Sequence, residues 1–184
     1  MRNIENTTAL ITGGTKGIGF GIAEAMLNQN MNVVITGRGQ KGVDQAVAEL
    51  QKIGKGKVVG VTADVRDMHE MENAVKMAND HFGGLDILIA NAGLGHFGSI
   101  EELSEEQWHE TIDINLTGVF NSVKTAVPSL KRSDNAYIIT IASLAGTNFF
   151  AGGAAYNASK FGLVGFTQAI MLDLRQQGIN VSTI

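Results

Sequence analysis

Six short apolar runs rich in β-branched residues, at 9–12, 32–36, 58–62, 86–90, 136–142 and 180–184, recur along the chain, each separated from the next by enough sequence for a helix. This spacing predicts repeated strand-helix-strand units. The runs are continuously apolar (VVIT, ILIA, YIITI) instead of alternating, as parallel strands must be when helices cover both faces of their sheet. The expectation is an α/β fold, a doubly wound parallel sheet in three αβα layers. Helical periodicity lies between the runs, over 17–30, 43–53, 68–82, 104–130 and 155–177. Ser104 followed by Gln107 forms a capping box that marks the start of the fourth helix.

Composition narrows the function. Hydrophobic residues make up 44% and charged residues only 17%, against about 25% charged in ordinary soluble domains. The chain can therefore bury a large core, and 1–184 is read as one domain. Lys and Arg number 14 against 18 Asp and Glu, a net charge of −4 with no basic cluster, so no nucleic-acid partner is expected. The absence of Cys removes disulfides, thiolate zinc sites and a Cys nucleophile. His69, His81, His96 and His109 lack ligand spacing, so no metal is expected either. Neither a G-x-S-x-G elbow nor a G-x-x-x-x-G-K-[ST] loop is present. No apolar run approaches the roughly 18 to 20 residues that a membrane span needs. The start, MRNIENTTALIT, lacks the basic-then-apolar order of a signal peptide, and the protein is read as cytoplasmic.

Glycine is abundant (23 residues) and Pro occurs once, so the glycines serve backbone geometry. After the first strand comes Thr12-Gly13-Gly14-Thr15-Lys16-Gly17-Ile18-Gly19, running directly into a helix. Such a turn suits a pyrophosphate, because glycines permit close backbone approach and the helix N-terminus favours negative charge. A plain strand-to-helix turn is the alternative. The literal G-x-G-x-x-G string lies elsewhere, at Gly37-Arg38-Gly39-Gln40-Lys41-Gly42, with Asp64 near the spacing of a ribose-binding acid. Local context does not separate the two loops; the first explains more of the residues downstream. On that choice the end of the second strand becomes the adenosine ribose position, and it carries Arg38 where NAD sites carry an acid. Lys16 and Arg38 together point to a 2′-phosphate, hence NADP over NAD. Read singly, each is an ordinary solvated cation.

The fifth run delivers Ser143 at its C-terminal end, where doubly wound sheets place ligands. Tyr156 and Lys160 follow at i and i+4 on a helix, about 6 Å apart along its axis and on one face. A phenol titrates near 10 unperturbed, so proton exchange at neutral pH needs a nearby cation such as Lys160. Ser143 could donate to a substrate oxygen as charge builds there. Taken one at a time, the three also read as a surface pair and a turn residue.

Together, TGGTKGIG, Asp64-Val65, Asn91-Ala92-Gly93, Asn115, Ser143 and Tyr156-Asn157-Ala158-Ser159-Lys160 resemble the short-chain dehydrogenase/reductase superfamily in its compact single-domain branch. The resemblance implies a Rossmann fold. It implies that Gly13, Gly17 and Gly19 wrap the cofactor diphosphate; Thr15 and Ile18 of the same loop are counted with Lys16 and Arg38 among the cofactor-binding residues. Asp64 and Val65 would contact adenine, while Asn91, Ala92 and Gly93 would lie beside the cofactor. Tyr156 would be the general acid/base, Lys160 would lower its pKa and bind the nicotinamide ribose, Ser143 would orient the carbonyl, and Asn115 would hold a proton-relaying water. A tolerated polar residue in a long helix is the plainer reading of Asn115.

The implied activity is hydride transfer between NADP(H) and a carbonyl or alcohol, in a homodimer or homotetramer. Phe149 and Phe150 read equally as an apolar border to the reacting carbonyl or as core or interface residues, and the pattern resembles 3-oxoacyl-thioester reductases. Members of the family usually continue past the last strand into a Pro-Gly turn, a substrate-covering segment and a final strand and helix, so the chain reads as C-terminally truncated. That departure motivates a second reading, a non-catalytic nucleotide-binding or dimerisation module.

Overall fold

The computed structural model of the chain describes residues 4–53 and 55–184; the first three residues of the N-terminal segment lie outside it. Strands β1 (Thr8–Ile11), β2 (Asn32–Gly37), β3 (Val58–Thr62), β4 (Ile87–Ala90), β5 (Tyr137–Thr140) and β6 (Asn180–Thr183) form one parallel sheet in the order β3-β2-β1-β4-β5-β6. The helices are α1 (Gly17–Asn28), α2 (Gln40–Leu50), α3 (Met68–Phe82), α4 (Glu105–Ile112), α5 (Gly118–Leu130) and α6 (Ala154–Arg175). The expected doubly wound sheet is borne out. Register is regular: Leu10 lies beside Val34 on one side and Leu88 on the other. Each strand residue sends its side chain to one face, so alternate residues feed two cores. Leu10, Val34, Leu88 and Ile138 pack with α3, α5 and α6, whereas Ile11, Val33, Ile35 and Ile89 pack with α1 and α2.

Boundaries shift where backbone chemistry intervenes. Asn30 has a φ of 59°, which ends the first helix before the predicted limit. Helix α2 starts at Gln40 instead of 43, so the literal G-x-G-x-x-G string is split between the end of β2 and the first turn of α2. Pairing of β5 runs past its last strand residue, because Ile141 N–H donates to Ala90 O (3.0 Å) and Ala142 N–H to Ile184 O (2.7 Å).

The expected unbroken helix over 104–130 is corrected. It starts as the capping box requires, with Ser104 Oγ accepting from Gln107 N–H and the Gln107 side chain accepting from Ser104 N–H. A single π turn, Asp113–Thr117, then interrupts it between α4 and α5. A π turn adds a residue to the local winding and re-aims the side chains within it. The residue at its centre is Asn115, which is 0% exposed.

Candidate active site

A cleft of about 590 Å³ opens at the C-terminal ends of the strands, where β1 and β4 lie side by side and the chain winds off in opposite directions. The β1–α1 loop forms one wall. Gly13 (φ 65°) and Gly17 (φ 58°) both adopt the left-handed backbone that favours glycine, and a Cβ on Gly13 would stand 3.0 Å from Ala92 Cα. Thr15, Lys16, Gly17 and Ile18 line the cleft beside Gly13, and among the described residues no side chain caps α1. The first-turn N–H groups of α1 are thus left for an anion, so the loop fits a dinucleotide's diphosphate. Gly19 is not on the cleft wall; a Cβ there would come within 2.5 Å of Asn91 Nδ2 and 2.6 Å of Gly13 O, so its lack of a side chain lets α1 pack onto the sheet.

Asn91 holds the loop from the β4 side. Its amide donates to Thr12 O (2.9 Å) and Gly13 O (3.2 Å), while Thr12 Oγ1 accepts from the N–H groups of Asn91 and Ala92, both at 3.0 Å. Asn91, Ala92 and Gly93 all line the cleft.

Arg38, Asp64 and Val65 line the end of the cleft formed by β2 and β3. The Asp64 carboxylate is gripped by Arg66, whose Nη2 is 2.6 Å from Oδ2, and that hydrogen bond holds the carboxyl below its usual range. Arg38 reaches across to α4, where its Nη1 lies 3.6 Å from Glu110 Oε1. The other Glu110 oxygen meets His96 Nε2 at 2.8 Å, which lowers the Glu110 pKa. The sequence reading missed Glu110 and its link to Arg38, since no spacing rule joins positions on different elements.

At the opposite end, Tyr156 and Lys160 both line the cleft from the first turns of α6. Lys160 is 5% exposed, its Nζ donates to Ile141 O at 2.8 Å and stands 5.7 Å from the centre of the Tyr156 ring. Burial pushes its pKa down to about 8. Ser143 lies beyond β5 and is not on the cleft wall; its Oγ accepts from Ala145 N–H at 3.1 Å, leaving the hydroxyl hydrogen available. Asn115 also lies behind the wall. Its Oδ1 accepts from Leu94 N–H (2.9 Å), and its Nδ2 donates to Leu94 O (2.7 Å) and Ser159 Oγ (3.0 Å), fastening the loop after β4 to α6.

Phe97, which sequence reasoning did not single out, packs its ring 5.6 Å from Tyr156 and 6.0 Å from Phe150. Phe149, named from sequence beside Phe150, is 85% exposed. Among the described residues, no group of three His, Cys, Asp or Glu side chains is placed to hold a metal ion. No helix of the described residues is long and apolar enough to cross a membrane.

Strand order and glycine loop together are those of the doubly wound fold, in which dinucleotides bind beyond the carboxyl ends of the strands. The family described as short chain dehydrogenase matches residues 7–184. D-beta-hydroxybutyrate dehydrogenase of Cupriavidus necator is 40% identical over 182 residues, covering 98% of this chain and 70% of that protein. The 3-oxoacyl-[acyl-carrier-protein] reductase of Vibrio cholerae is 32% identical over 99% of this chain and 73% of its own length. An alcohol dehydrogenase from the archaeon Thermococcus sibiricus, solved with 5-hydroxy-NADP, superposes with a TM-score of 0.90 at 28% identity, covering 96% of this chain and 74% of that one. The chain belongs to the short-chain dehydrogenase family. It is an oxidoreductase acting between CH–OH and C=O groups, in a family that uses nicotinamide cofactors.

Proposed function

We propose that residues 1–184 form one NADP(H)-binding domain that also carries the catalytic groups, and that it interconverts a carbonyl and an alcohol with Tyr156 as general acid/base. The observation that carries this reading is the convergence of Tyr156 and Lys160 on the same cleft as the β1–α1 glycine loop. A bound nicotinamide supplies or accepts the hydride. Tyr156 gives its phenolic proton to the carbonyl oxygen in reduction and takes it back in oxidation. Lys160, anchored by Ile141 O, stabilises the negative charge left on the phenol oxygen. Ser143, next in sequence to the cleft-lining Ala142, keeps a hydroxyl hydrogen free for the same substrate oxygen, and Asn115 fastens the loop after β4 to α6. Lys16 and Arg38 favour the 2′-phosphate of NADP, and Asp64, the acid that lines this end of the cleft, is already engaged by Arg66. The Vibrio relative's name supports a 3-oxoacyl thioester as one substrate of this kind.

Calorimetric titration with NADPH and NADH under one salt and pH tests the cofactor assignment, and tighter NADPH binding is expected. Tyr156→Phe should then abolish most turnover while leaving the NADPH affinity nearly unchanged. A variant that reduces carbonyls as fast as the parent removes the proton-transfer role.

A further inference from the structure

We propose that this site takes an uncharged carbonyl bearing an apolar group, and that Phe97 is the residue that selects it. The inference rests on the oxidoreductase reading above and adds the substrate class. Phe97 lines the cleft while remaining 65% exposed, so a large apolar ring stands open beside the proton-transferring phenol. Its position depends on Gly95. A Cβ at Gly95 would stand 2.6 Å from Phe97 Cζ and 3.0 Å from Tyr156 Cδ2, so any side chain there would push the Phe97 ring away from Tyr156.

The wall is held by the backbone on both sides. Gly98 N–H donates to Gly152 O at 2.9 Å, tying the loop after β4 to the loop before α6. Asn157 Nδ2 donates to Phe150 O at 3.1 Å, which fixes the second loop to α6. Phe97, backed by the Phe150 ring 6.0 Å away, is therefore presented to the cleft as a preset aromatic surface that gains by covering apolar substituent area.

Charge points the same way. The cations on the cleft wall are Lys16 and Arg38, on the glycine-loop and β2 side, and Lys160, whose ammonium is directed to Ile141 O. His96, next to Phe97 in sequence, is engaged by Glu110. A substrate carboxylate beside Tyr156 would give up part of its hydration against the Phe97 ring without meeting a free cation among the described residues that line the cleft, and partial desolvation without a partner weakens its binding. An aryl or alkyl group loses nothing of the kind.

The test uses the full chain saturated with whichever oxidised cofactor binds, a complex that holds a ketone without turning it over. Acetophenone and acetoacetate are titrated into it by calorimetry. Acetophenone should bind at least about tenfold tighter than acetoacetate, and Phe97→Ala should weaken acetophenone roughly fivefold or more while leaving the cofactor affinity unchanged. Phe97→Leu, which keeps apolar bulk, should recover part of the loss. Equal or tighter binding of acetoacetate overturns the proposal, as does unchanged acetophenone affinity in Phe97→Ala. If cofactor binds and these preferences are missing, only the substrate class falls; if neither cofactor binds, the NADP(H)-dependent catalysis proposed above falls for this chain and takes the substrate class with it.

Discussion

Lys160 shows how a single side chain carries a cost within the fold. Its pKa falls from 10.5 to about 8 because burial penalises the ammonium. Below pH 8 it is charged in both folded and unfolded chains, and the penalty is present in full. Between about 8 and 10.5 the folded chain sheds a proton that the unfolded chain keeps, so this residue makes stability rise with pH in that window. Lys160→Met should accordingly stabilise the protein at pH 7 by on the order of 2 kcal/mol, after loss of the bond to Ile141 O, with the gain shrinking towards pH 10.5. Urea unfolding of both proteins across that range checks the sign; a gain that grows with pH contradicts it. Arg38 poses a different residue-scale question, because Glu110 already holds it. Arg38→Asp should weaken NADPH binding far more than NADH binding, whereas Glu110→Gln should tighten NADPH binding by removing a competing anion. Calorimetry on both variants decides, and equal losses of NADPH and NADH in Arg38→Asp dismiss the 2′-phosphate contact.

Among the elements, the α4–α5 segment carries the most information. Its start was legible because Ser104 and Gln107 satisfy each other's orphan groups locally. The π turn was not, because Asn115 is drawn inward by Leu94 and Ser159, partners on other elements. Asn115→Ala would leave the Leu94 N–H and C=O without these partners and should cost about 2 to 4 kcal/mol, read as a lower urea midpoint. A change below about 0.5 kcal/mol would return Asn115 to the status of a tolerated polar residue. The β1–α1 loop is the opposite case. The left-handed backbone at Gly13 and Gly17 is a local demand, so the glycines announce it in the sequence.

Across the whole molecule, α5 and α6 leave Phe120, Phe161, Met171 and Leu172 exposed, with the Phe120 and Phe166 rings 6.4 Å apart. We propose this surface as the seat of the expected homo-oligomer. Sedimentation analysis should show a dimer or tetramer that Phe161→Glu weakens, since a carboxylate buried across an apolar contact has no partner; a monomeric wild type at micromolar concentration refutes it. The alternation of apolar runs with helical periods already specified a doubly wound parallel sheet, and the order of Gly, Ser, Tyr and Lys already specified the family, because period, turn chemistry and i, i+4 spacing are local properties written in neighbouring residues. The link of Arg38 to Glu110, the π turn around Asn115, the removal of Gly19 from the cleft wall and the folding of Phe97 over Gly95 onto Tyr156 were decided by tertiary packing alone. Each depends on which distant segments the sheet order brings within a few ångströms, and no one-dimensional pattern encodes such a distance.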